Sequence, residues 1–241
     1  MTGRLQDRLA VITGASRGIG RAVALGMAAE GAHVILIART VGGLEEVDDE
    51  IRKVGGKATL VPMDLTDFAA IDRLGATIFE RWGKLDILVA NAGLLGTLTP
   101  LSHMEPKDWD KTLAVNVTAN YRLIRSLEPL LKRSNAGRAV FVTSGAAHKC
   151  KAYWGGYSVT KAALDAMMKT WAAECKKTAI RVNSVSPGPT RTAMRKKAMP
   201  GEDPTTLTKP ADLVPLFIEL ALPSNERHGE IVEYQKKQAK A

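Results

Sequence analysis

Six short apolar runs punctuate the chain: Leu9 to Thr13, His33 to Ala38, Ala58 to Pro62, Leu85 to Ala90, Arg138 to Thr143 and Ile180 to Val185. They are nearly continuous in Val, Ile, Leu and Ala instead of alternating with polar residues, which is the pattern of strands buried on both faces of a parallel sheet. Stretches at about 18–30, 41–54, 67–82, 107–132 and 157–176 have the length and polarity of crossover helices. The repetition is βαβ, so an α/β class is expected. After residue 186 the texture changes. Pro187, Pro189, Pro200, Pro204 and Pro210 break up a polar, basic stretch before an apolar helix at about 211–221. A loop at about 189–210 inside a compact domain reads as a lid or binding loop. Residues at about 235–241 read as a frayed basic tail.

Composition adds bounds. The chain has 241 residues, 45% hydrophobic and 24% charged, enough for a sizeable core and fitted by one domain spanning 1–241. The two cysteines, Cys150 and Cys175, form no CxxC or ligand cluster; a reducing compartment is expected, and no metal site. No apolar run approaches the roughly 18 residues of a membrane span, and no signal-type segment opens the chain, so a cytoplasmic protein off the membrane is expected. The sequon Asn116-Val117-Thr118 matters only in a secreted chain. The 34 Lys plus Arg against 25 Asp plus Glu give a net charge of +9, which raises nucleic acid, anionic lipid or an acidic substrate as partners. No zinc finger, helix-turn-helix or aromatic-interleaved basic strand supports nucleic acid. Glu45, Glu46, Asp48, Asp49 and Glu50 are expected on a solvated face near a helix N-terminus, where the macrodipole favours acids.

Three segments carry candidate chemistry. The first strand runs into Thr13-Gly14-Ala15-Ser16-Arg17-Gly18-Ile19-Gly20, and a helix pattern follows at once. Glycines there let the backbone turn sharply and approach a pyrophosphate, with the helix end facing the anion. The second strand ends Ala38-Arg39-Thr40, with no acid for the ribose hydroxyls of NAD; Arg39, with Arg17 near the same point, favours the 2′-phosphate of NADP. Third, Ser144 ends the fifth strand, and Tyr157 and Lys161 stand at i and i+4 of a helix, so ammonium and phenol share a face. An adjacent cation favours phenolate and would bring the phenol towards the range useful for proton transfer. A ketone-reduction site is the coherent reading: Tyr157 gives a proton to the oxygen, Ser144 bonds that oxygen, and hydride arrives from a nicotinamide. A hydrolase is excluded, because Thr143-Ser144-Gly145 lacks the nucleophile-elbow glycine.

These segments, with Asp64-Leu65, Asn91-Ala92-Gly93, Asn116 and Pro187-Gly188 in order, resemble the short-chain dehydrogenase/reductase family of the smaller single-domain type, over almost the whole chain. The resemblance implies a single-domain Rossmann fold, a doubly wound parallel sheet of about seven strands with helices on both faces. It implies catalytic roles for Asn116, Ser144, Tyr157 and Lys161. Asn116 would distort its helix and hold a water linking Lys161 to a proton relay; Lys161 would bind the nicotinamide ribose and lower the Tyr157 pKa. The cofactor, NADP before NAD, would lie on Gly14, Ser16, Arg17, Gly18, Ile19, Gly20, Arg39, Thr40, Asp64, Leu65, Asn91, Ala92, Gly93, Tyr157, Lys161, Pro187, Gly188, Thr190 and Thr192. His148, Cys150 and Trp154 fall in a stretch that borders the substrate in this family. Cys175 and Trp171 read as packing residues.

The implied activity is that of an NADP-dependent carbonyl reductase or alcohol dehydrogenase on a small-molecule substrate, in a homo-oligomer, dimer or tetramer. The chain also resembles bacterial 3-oxoacyl-acyl-carrier-protein reductases, and Arg133 and Lys177 fall at or near their carrier-contacting positions. Those enzymes end in a glycine-rich segment where this chain reads Gly229-Glu230-Ile231-Val232-Glu233-Tyr234, so an acyl carrier protein is the subordinate partner. An NADP-binding regulator without activity would be expected to lose the tyrosine or lysine, and both are present.

Overall fold

The computed structural model describes residues 3–235. Seven strands form one parallel sheet in the order β3-β2-β1-β4-β5-β6-β7: β1 Leu9–Thr13, β2 His33–Ala38, β3 Lys57–Pro62, β4 Ile87–Ala90, β5 Arg138–Val142, β6 Arg181–Ser186 and β7 Ile231–Glu233. The chain winds outward from β1 to β3, returns across β1, and winds the other way from β4. The order therefore reverses between β1 and β4, and a ligand crevice opens beyond their carboxyl ends.

Alternate residues of each strand face opposite layers. Ala10 and Ile12 of β1 join the core under α1 (Gly18–Ala29), α2 (Val41–Lys53) and α9 (Pro210–Ala221). Leu9 and Val11 join the other core, under α3 (Phe68–Trp82), α5 (Ala119–Leu131) and α7 (Gly155–Cys175). Trp171 and Cys175 are buried in that second core, as expected of packing residues.

Four departures from the sequence reading stand out. The expected helix at 107–132 is α4 (Pro106–Leu113), a π-turn (Ala114–Thr118) and α5, with Pro129 inside α5. The loop at 189–210 contains the short helix α8 (Ala193–Ala198), and α6 (Ala146–Lys149) precedes α7. The acids of α2 do not occupy its first turn, and they are not all solvated: Asp48 is buried and pairs with Arg52 at 2.6 Å, while Glu50 pairs with Arg21 at 2.5 Å. Of the expected tail at 235–241, all but Gln235 lies outside the described residues.

The foot of the sheet, where the strands begin, is locked by buried charges. Asp86, before β4, accepts hydrogen bonds from Leu9 N (3.0 Å), Ser134 Oγ (2.6 Å) and Lys84 Nζ (3.0 Å). Arg8 donates to the carbonyls of Asp86 and Ala136. Arg138 donates to those of Gly137, Ala179, Leu222 and Pro223, tying β5 to the end of α9.

Candidate active site

The opposite, carboxyl ends of the strands build the site. At the end of β1, the Thr13 hydroxyl accepts hydrogen bonds from the backbone N–H groups of Asn91 and Ala92, both at 3.0 Å, and the Asn91 amide donates to Thr13 O at 2.9 Å. The tips of β1 and β4 are thus stapled together. The next turn uses left-handed backbone at Gly14 (φ +66°) and Gly18 (φ +58°). Gly20 is needed for another reason, since a Cβ there would stand 2.3 Å from Gly14 O. No side chain caps the start of α1, so its first turn faces the cleft as a cradle that suits a pyrophosphate.

Arg39 and Thr40 follow β2, both exposed, with Arg39 Nη1 4.0 Å from Asp64 Oδ2. Asp64 is held by Thr66, whose backbone N–H chiefly keeps the carboxyl below its usual pKa. Leu65 is buried beside it.

Ser144 follows β5, and its hydroxyl accepts from Ala146 N at 3.2 Å. Tyr157 and Lys161 lie one turn apart on α7, both buried. Lys161 Nζ donates to Val142 O at 2.7 Å and lies 5.7 Å from the centre of the Tyr157 ring. The Trp154 ring meets the Tyr157 ring edge to face at 6.1 Å. Burial pushes the Tyr157 phenol up to about 12, with a hydrogen bond to Ser144 pulling the other way. Burial likewise brings Lys161 down to about 8, with the charge of Asp165 opposing. For the phenol, desolvation of the anionic form outweighs the Ser144 hydrogen bond.

Asn116 sits in the π-turn, fully buried. Its Oδ1 accepts from Leu94 N (2.7 Å), and its Nδ2 donates to Leu94 O (2.8 Å) and Thr160 Oγ1 (3.0 Å). The side chain clamps the loop after β4 to α7. Both its amide protons have protein acceptors.

Beyond β6, Pro187 and Gly188 (φ +67°) turn the chain, and the Thr190 hydroxyl lies within hydrogen-bond reach of both their carbonyls. Thr192 caps α8 through Arg195 N and lies across from Gly18. Arg195 and Glu202 pair through two contacts of 2.5 Å, fixing α8 over the cleft.

One cleft of about 2030 Å³ runs from the glycine turn to Tyr157, and all the expected site residues line it except Gly20 and Asn116. Trp154 lines it, whereas His148 and Cys150 do not, a correction to their expected place at the substrate: His148 turns to Asp165, at 3.3 Å, and Cys150 is exposed. The sequence reading missed Leu94, Leu95, Met194 and Met199, which give the cleft an apolar wall. Apolar residues beside Asn91-Ala92-Gly93 were the available signal. Among the described residues, no helix is long and apolar enough to cross a membrane.

A parallel sheet with a glycine cradle at its switch point and a buried Tyr/Lys pair in the same cleft defines a dinucleotide-binding oxidoreductase. The chain belongs to the short-chain dehydrogenase family, whose model matches residues 8–203, and is an NAD(P)-dependent oxidoreductase. Among its relatives is the uncharacterized oxidoreductase YciK of Escherichia coli K12, 40% identical over 219 residues, 90% of this chain and 86% of that one. A short-chain dehydrogenase structure from Pseudomonas syringae superposes with a TM-score of 0.94 at 38% identity, covering 98% of this chain and 97% of that one. One from Escherichia coli CFT073, complexed with NADPH, gives 0.91 at 37% identity, covering 97% and 98%.

Proposed function

We propose that the protein is an NADPH-dependent carbonyl reductase, working in reverse as an alcohol dehydrogenase, with Ser144, Tyr157 and Lys161 at the reacting carbonyl and Asn116 behind them. The observation that carries this reading is the meeting of a buried phenol, a hydroxyl and an ammonium in the cleft that holds the glycine cradle. Arg39 and Arg17, both exposed at the cleft's nucleotide end, support NADP, as do the similar structures solved with NADP and NADPH. Bound there, the cofactor supplies the hydride.

The chain's own residues handle the oxygen. At neutral pH Tyr157 is a phenol, the form that donates a proton to a carbonyl oxygen as it gains charge. The Ser144 hydroxyl donates a second hydrogen bond to that oxygen. The nearby Lys161 ammonium stabilises the phenolate left behind, and the Asn116 clamp keeps α7 and the loop after β4 in register. Trp154, Leu95 and Met194 supply apolar lining to the cleft. Oxidation needs the phenolate first, which burial resists, so the reverse reaction gains from alkaline conditions.

We read the protein as a cytoplasmic homo-oligomer acting on a small-molecule carbonyl or alcohol. An acyl carrier protein stays the subordinate partner; Arg133 is exposed, donates to Gly83 O at 2.7 Å and lies over the Phe79 ring. Tyr157→Phe tests the assignment against a panel of ketones. Turnover is expected to fall by about 10²- to 10⁴-fold while NADPH binding, followed by fluorescence, persists. Undiminished turnover would overturn it.

A further inference from the structure

Asp165 stands one turn beyond Lys161, so Tyr157, Lys161 and Asp165 recur at four-residue intervals along one face of α7. Its side chain is only 5% exposed, and neither carboxylate oxygen has a hydrogen-bond partner. A buried carboxylate ordinarily gathers donors, as the equally buried Asp86 does from Leu9, Lys84 and Ser134. Left without them, it carries a large desolvation cost unless opposite charge offsets it. Two basic side chains are available. On the solvent side, His148 of α6 brings Nε2 to 3.3 Å, and its side chain is 63% exposed. The other is Lys161, one turn back along α7 and itself buried at the cleft, on which Asp165 is the one charged group acting among the described residues. The end of β5 brings Lys161 a neutral partner, the Val142 carbonyl.

We propose that Asp165 is a positioning residue of the reduction: its buried carboxylate holds Lys161 in the ammonium form beside Tyr157, while His148 covers it from solvent. This rests on the reading that places Lys161 in the active site. Burial alone drives the ammonium towards losing its proton near neutral pH, and a fixed negative charge one turn away opposes that loss. An amide of the same shape would fill the space and give no such support.

Asp165→Asn therefore tests the charge and not the packing. In pH profiles of kcat/KM for NADPH-dependent reduction of a ketone the unmodified enzyme accepts, the alkaline limb is expected to move acidward by about one pH unit. Activity near pH 8 then falls about five-fold, against less than about two-fold near pH 6. Asp165→Glu should restore the limb. His148→Gln should leave it in place, because it leaves the Asp165 carboxylate and its charge where they are. An Asp165→Asn profile lowered evenly at every pH, or a limb that moves with His148→Gln instead, overturns the proposal.

A second measurement needs neither cofactor nor turnover. Asp165→Asn should lower the urea midpoint more in the unmodified background than in Lys161→Met, because only the former loses an attraction. Equal losses overturn the proposal. Should Asp165→Asn fail to fold, the double variant, which removes both charges, is expected to fold, and its failure overturns the proposal too. If no ketone is reduced, the proposed activity fails, while the urea comparison still decides whether Asp165 and Lys161 are coupled.

Discussion

Arg39 shows how a single side chain can carry a preference. It is a little over half exposed, and its nearest acid, Asp64, is 4.0 Å away with its carboxylate already held by Thr66. The guanidinium is thus free to take a 2′-phosphate, and an interaction of that kind contributes about 1.5–3 kcal/mol. Arg39→Ala is expected to weaken NADPH binding by about ten- to a hundred-fold and NADH binding by less than about two-fold, measured by fluorescence titration. Equal losses would count against the NADP reading. Arg39 was legible in the sequence because the missing acid at a strand end is a local signal, as is the four-residue spacing of Tyr157 and Lys161. Asp165 was not. A carboxylate four residues beyond a lysine on a helix reads as an ordinary surface pair, and only burial against the α6 turn makes it something else. Asp48 is a second case, expected on a solvated face and found buried.

At the level of elements, strand positions were legible to within about two residues, because short, nearly continuous apolar runs bounded by turn residues suit a buried strand and little else. Three-residue β7 and six-residue α8 are too short to show a period, and proline-rich flanks hid the second. The break in the helix expected at 107–132 has a cause that no periodicity shows: Asn116 is drawn out of an α-helical turn by partners on the loop after β4 and on α7. Asn116→Ala would leave the Leu94 N–H and carbonyl without those partners, a cost of about 2–3 kcal/mol if neither finds another. The urea midpoint and kcat for ketone reduction should therefore fall together. A loss of kcat with no loss of stability would show that the clamp is not how Asn116 acts.

On the scale of the whole molecule, buried charge stands at both ends of the sheet, Arg8, Asp86 and Arg138 at the foot and Lys161 at the cleft. At the foot, burial alone would raise the Asp86 pKa, but hydrogen bonds from Ser134, Leu9 and Lys84 outweigh it and hold the carboxyl below its usual value. A group with a lowered folded-state pKa contributes stability that is present above its unfolded value, about 4, and lost as pH falls through the folded one. Asp86→Ala is expected to cost about 3 kcal/mol at pH 7, with the deficit narrowing in urea titrations below about pH 4. The dissociation constant for NADPH should hardly change, since the lock lies at the other end of the sheet from the cleft. A deficit that persists undiminished at low pH would refute the account. The net charge of +9 also looks different once placed. Arg8, Arg138 and Lys161 are interior, and Arg21, Arg52, Arg122 and Arg195 are paired with acids.

The foot network of Arg8, Asp86 and Arg138 also bears on how such a protein can change over generations. It secures the strand starts with charged groups that touch nothing at the rim. Substitutions in α8, at Trp154 or in the loop after Gly93 can therefore reshape what the cleft admits while the foot continues to hold the sheet. A new specificity can accumulate by small steps at one end, each screened for activity, with little risk that a step costs the fold.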